Sequence, residues 1–182
     1  MRRIYWMGVI LAGLLLGPLA SFSVIHSAGC PNPTGIGPRP GIPGTTVFWA
    51  NPGDPKGSYT FFQKEKALAS GTITQIQISL KSAGSVQVGV FSSNGSVGSL
   101  LGSSPLVSLP AGLSMVPLSS GVPIPAGTDF WTAVYTPSYP GITWSATSGG
   151  PIAMVNPSQG LAPAPFKGMF NGHLDLWAYL CP

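Results

Sequence analysis

Charged side chains are scarce in this chain. Of 182 residues, eight are lysine or arginine and four are aspartate or glutamate, so charge makes up 7% of the sequence, against about a quarter in an ordinary soluble domain. Arg2 and Arg3 sit at the extreme N-terminus. The other basic residues, Arg39, Lys56, Lys64, Lys66, Lys81 and Lys167, are scattered, and Glu65 separates the one close pair. No basic stripe exists, which argues against nucleic acid as a partner. Acid–base groups are equally few: Asp54, Glu65, Asp129, Asp175, His26 and His173. With so few protons to exchange, stability is expected to be nearly flat from mildly acidic to neutral pH. Cysteine is limited to Cys30 and Cys181, too few for a disulfide-dense scaffold or a thiolate metal centre.

What replaces charge is apolar and small polar surface. Hydrophobic residues make up 44% of the chain, which excludes a disordered polymer. Twenty-five glycines and 20 prolines leave little room for long helices, because each residue type disfavours a helix interior.

Residues 1–28 open with Met-Arg-Arg, run apolar from Ile4 to Ala20, and end in small residues. This is the layout of a secretory signal peptide. Extended through Ile25, the same stretch is about 20 residues long and suffices as a membrane anchor over residues 4–25 with its arginines inside. Either reading places the chain outside the cytoplasm: secreted, at a cell surface or in a virion. The linker that follows, 29–44, is rich in Pro and Gly and is expected to be an extended stalk, or else a strap along the domain surface.

Cys30 follows the leader and Cys181 is the penultimate residue. In an exported chain the pair is expected to form one disulfide joining the two ends. Closing so long a loop stabilises by up to roughly 5 kcal/mol in the chain-entropy picture. The competing readings are two free thiols, or lipidation of Cys30, since SAGC resembles a bacterial lipobox with Ser27 in place of its usual leucine.

From residue 45 to 182 the pattern is short β-runs broken by turn residues. TITQIQISLK alternates strictly, with Ile76, Ile78 and Leu80 on one face and Gln75, Gln77 and Ser79 on the other. SVQVGVFSS repeats the device, and Asn94-Gly95 marks a tight hairpin turn. Pro117 and Pro123 lack ladder donors, so their strands are expected at edges or bulges. In HLDLWAYL, Leu174, Leu176, Ala178 and Leu180 alternate with Asp175, Trp177 and Tyr179, and the two aromatics are expected to pack under a loop. The segment 148–172 reads as a long irregular loop with one short strand near Ile152 to Val155. Period-two patterning over about eight to ten strands predicts an all-β, antiparallel β-sandwich of jelly-roll type, preceded by an N-terminal hydrophobic helix.

Several pieces between about 59 and 136 resemble a jelly-roll module found in bacterial, archaeal and phage surface proteins. They are Gly71 to Ile76 (GTIT-x-I), Val88 to Gly95 (VGVFSSNG), Leu100 to Ser104 (LLGSS), Val116 to Leu118, and Pro125 to Val134 (PAGTDFWTAV). The resemblance implies an accessory, adhesive or carbohydrate-binding-like module and carries over no catalytic residue.

The residues themselves show no nucleophile elbow, no convergent carboxylate pair and no metal-binding loop, so neither enzymatic activity nor a cofactor is expected. Exposed aromatics are the remaining candidates for a site. Tyr139, in the loop TPSYPG, with Trp144 and Trp49, are the candidate ligand-stacking residues. The expected function is a non-catalytic structural or assembly protein of a cell surface, appendage or virion. Its partners would be other surface proteins or further copies of itself. The alternative is a surface module binding a carbohydrate or a protein.

Overall fold

Alternation along each strand decides which side chains meet. In the computed structural model, which describes residues 34–36, 46–48, 58–137, 141–145, 151–155, 160–162 and 168–181, every strand pairs antiparallel and no helix occurs among the described residues. The N-terminal hydrophobic segment lies outside them.

One sheet is built around β4 (Gly71–Leu80). It is flanked by β14 (Leu176–Cys181) and by β8 (Gly112–Ile124). β1 (Thr34–Ile36) adds to the far side of β14, with Thr34 opposite Leu180 and Gly35 opposite Tyr179. These three residues of the Pro/Gly-rich segment thus pair with the sheet. β10 (Ile142–Ser145) joins the end of β4 through Ile142 and Leu80, and carries β2 (Thr46–Phe48) and β13 (His173–Leu174).

The second sheet runs β12 (Gly168–Asn171), β11 (Pro151–Val155), β3 (Tyr59–Lys66), β9 (Asp129–Thr136), β5 (Gly84–Ser93), β6 (Val97–Ser103). β7 (Val107–Leu109) pairs with the start of β5. Inward side chains of both sheets form one core. Ile73, Ile76, Ile78, Val116, Leu174, Leu176, Ala178 and Leu180 come from the first sheet, and Tyr59, Phe61, Val86, Val88, Val90, Phe130, Val134 and Ile152 from the second. Two antiparallel layers sharing one apolar interior make a β-sandwich.

Local irregularities have visible causes. Ile73 and Ile76 are both fully buried although three apart. Against β14 the register slips between Ile73 and Gln75, where Thr74 is the extra residue, and this resets the alternation; against β8 the slip is larger, with residues 118–121 facing Thr74 alone. Opposite it, the two short runs around Pro117 and Pro123 merge into the single strand β8, whose one partner among the described residues is β4. An edge strand tolerates proline because half of its N–H groups have no ladder acceptor to reach. Gly95, at φ 95°, closes the β5–β6 hairpin, and the Asn94 side chain accepts from the N–H and hydroxyl of Ser96.

Two sequence expectations change. The stretch 148–172 carries β12 as well as the anticipated β11. HLDLWAYL is interrupted at Asp175, giving β13 and β14. On β9 both alternating sets are buried: Phe130 and Val134 enter the main core, while Trp131 and Ala133 enter a second cluster with Phe62, Phe91, Ala153 and Val155. This second core lies on the outer face of the second sheet. Leu161 covers part of it, in the space left by the missing side chain of Gly89, and the Thr60 hydroxyl donates to the Gly160 carbonyl at 3.0 Å.

Candidate functional site

The outer face of the first sheet differs from that of the second, because nothing apolar from the described loops packs across it. Its rows follow from strand register. Gly35, Tyr179, Gln75 and Pro117 lie side by side; Trp177, Gln77 and Met115 form the next row; Ser79 and Leu113 form the one after. Side chains directly opposite in such rows stand roughly 5 Å apart. None of these positions carries a charge. Trp177, Tyr179, Gln75 and Gln77 are half-buried, while Leu113 and Met115 are exposed.

Two geometric details organise the face. The rings of Trp177 and Tyr179 lie 6.4 Å apart at a tilt of 39°, so they form a bent aromatic pair and not a parallel stack. The Tyr179 hydroxyl donates to Gln77 Oε1 at 3.1 Å. That bond fixes the amide of Gln77 with its NH2 group left to donate elsewhere. Glycine at position 35 places no side chain beside the Tyr179 ring. Along β14 the next outward residue is Cys181, which is disulfide-bonded and lies 3.6 Å, sulfur to oxygen, from the Thr74 hydroxyl.

A second polar feature lies inside the sandwich. Gln63, on β3, is fully buried. Its carbonyl oxygen accepts the Leu174 N–H at 2.5 Å, bridging the two sheets, and its amide NH2 donates to the Glu65 carboxylate. Glu65 shares the inward face with Gln63, so the flanking Lys64 and Lys66 project to the other side. Lys64 pairs there with Asp129 at 2.8 Å, which holds the Asp129 carboxyl below its ordinary value of 3.8. Burial pushes the Glu65 carboxyl up from 4.5 to about 7, against the opposing effect of the Gln63 hydrogen bond. This inward placement runs against the expectation of a nearly flat stability profile. A residue that reads as a solvated carboxylate between two lysines is turned into the interior by strand alternation.

The residues singled out from sequence are placed as follows. Cys181 ends β14. Trp144 occupies β10, opposite Leu174 and Thr46. Cys30, Tyr139 and Trp49 lie outside the described residues, as do Asp54 and His26. Asp175 is buried at the β13–β14 junction, where its carbonyl accepts the Ser79 N–H. Among the described residues, no three His, Cys, Asp or Glu side chains gather where they could hold a metal ion.

The face formed by Trp177, Tyr179, Gln75 and Gln77 was not among the sequence candidates. The signal for it was the aromatic half of the alternation in HLDLWAYL. What the sequence does not reveal is that β14 pairs with the glutamine-bearing face of β4. No family model matches the chain, and no curated protein or solved structure matches it.

Proposed function

We propose that this protein is a non-catalytic structural or assembly module working outside the cytoplasm, at a cell surface, on an appendage or in a virion. In this reading it is a β-sandwich of jelly-roll type, delivered or held at a membrane by residues 4–25, and it makes its contacts through the outer face of the first sheet. The observation that carries the reading is that face: an uncharged surface of paired aromatics, amides and exposed Leu113 and Met115.

Three further features support it. The leader has the layout of an export signal. Cys181 is oxidised into a disulfide, which suits an extracytoplasmic compartment. β1 starts four residues after Cys30 and lies along β14, with Thr34 opposite Leu180, so the Cys30–Cys181 pairing asks for no long detour of the chain.

Fractionation of native cells or particles, with mass spectrometry of the mature chain, tests the reading. The expected result is a surface- or particle-associated protein with a Cys30–Cys181 bridge, released from its assembly by Met115→Lys at unchanged melting temperature. Recovery as a cytosolic protein with reduced cysteines would overturn it.

A further inference from the structure

Four side chains on the outer face of the first sheet combine two chemistries. Trp177 and Tyr179 supply apolar ring surface, and Gln75 and Gln77 supply amide donors and acceptors between that ring surface and β8. We propose that this patch is a binding site for a neutral glycan, with Tyr179 and Trp177 stacking on sugar C–H faces and Gln75 and Gln77 hydrogen-bonding sugar hydroxyls. The inference rests on the reading of this face as the contact surface and goes further by naming its ligand class.

The ligand class follows from what the patch needs. Gln77 spends its carbonyl on the Tyr179 hydroxyl, which leaves two N–H donors. Gln75 has no side-chain hydrogen bond to any described residue. A partner that covers this patch must supply oxygen acceptors to these amides, because a buried amide left unpaired costs about 1–3 kcal/mol. It must also present apolar surface to two rings within the same few ångströms. A sugar ring offers both at once, an apolar C–H face and a rim of hydroxyls. A purely apolar protein surface would strand the glutamines.

Charge decides between sugar types. None of the face positions is basic, so a phosphate, a sulfate or a uronate would lose its hydration with no counter-charge in return. Position supports the same choice. Tyr179 and Gln75 sit in one row, Trp177 and Gln77 in the next, and successive same-face rows lie roughly 7 Å apart along a strand. The patch therefore suits a short stretch of glycan lying across the strands. Gly35, at the end of the Tyr179 row, adds no side chain of its own to that flank.

Affinity electrophoresis of the full-length mature protein through gels cast with neutral polysaccharides (mannan, xyloglucan) and one acidic polysaccharide (polygalacturonate) tests the proposal. The expected result is retardation by at least one neutral polymer, insensitive to added salt, and none by the acidic one. Tyr179→Ala should weaken that binding about tenfold. The double variant Gln75→Ala/Gln77→Ala changes no core residue and should weaken it comparably at unchanged melting temperature, which separates lost binding from lost folding. Absence of retardation by every neutral polymer, or retardation untouched by the glutamine pair, would overturn the proposal. If no glycan binds but Met115→Lys still releases the protein from its assembly, the glycan inference falls and the assembly role stands. If the patch binds glycan in a protein found in the cytosol, the reverse holds.

Discussion

Replacing Glu65 with glutamine should make this protein more stable at neutral and alkaline pH, the opposite of what removing a surface carboxylate between two lysines would do. The Glu65 carboxyl faces inward beside the buried Gln63, and its pKa is raised from 4.5 to about 7. The folded state therefore holds a proton that the unfolded state releases throughout the window between those values. Stability is then fully present below about pH 4.5, falls as the pH rises through about 7, and is level beyond it. A change of that size is worth at most roughly 3 kcal/mol. The carboxyl keeps some contact with water, which reduces the expected effect to about 1–2 kcal/mol. For a folded body of this length that is a drop in Tm of about 2–8 °C between mildly acidic and mildly alkaline buffer. In the Glu65→Gln variant a neutral amide stands where the protonated carboxyl stood, so the slope across this window should vanish and Tm at alkaline pH should rise towards the acidic value. Thermal unfolding followed by circular dichroism across that range measures both. A wild-type Tm that is level through the window, or a slope that survives the substitution, would refute the inward, desolvated placement of Glu65.

Three other substitutions probe separate parts of the structure. Gln63→Leu leaves the Leu174 N–H without its acceptor and should cost about 1–3 kcal/mol in denaturant unfolding; a neutral result would mean that the bridge between the sheets is dispensable. Phe62→Ala removes a ring packed edge-to-face on Phe91 at 5.3 Å and should cost about 3–5 kcal/mol, whereas a loss of only a few tenths would indicate that the outer face of the second sheet is open to water. Gly71→Ala would set a methyl group against the Cys181 carbonyl group and 2.8 Å from Leu180 Cγ. The end of β14 must shift to admit it, so Tm should fall and the disulfide at Cys181 should become easier to reduce, as read by thiol labelling against reductant concentration.

How much of this was legible beforehand depended on how local each cause is. The two faces of TITQIQISLK, the Asn94-Gly95 turn and the apolar half of HLDLWAYL could be read directly, because alternation and turn preference act between residues a few positions apart. Pro117 and Pro123 announced an edge for an equally local reason, the missing N–H. The order of strands, and which polar face lies next to which, has no such signature. Pairing of β14 with β4 joins residues about a hundred positions apart and is selected by the packing of the whole interior.

Composition and periodicity alone determined that the described part of this chain is all-β and layered, with few charged side chains, since those properties are sums over residues or repeats of two. Tertiary structure alone decided three other matters. It turned both sets of β9 side chains into apolar surroundings, because Gly160 and Leu161 return over the second sheet. It carried Glu65 inward, next to Gln63, where water is scarce. And it set Trp177 and Tyr179 beside Gln75 and Gln77, because only the assembled sheet brings strands about a hundred residues apart within hydrogen-bonding distance.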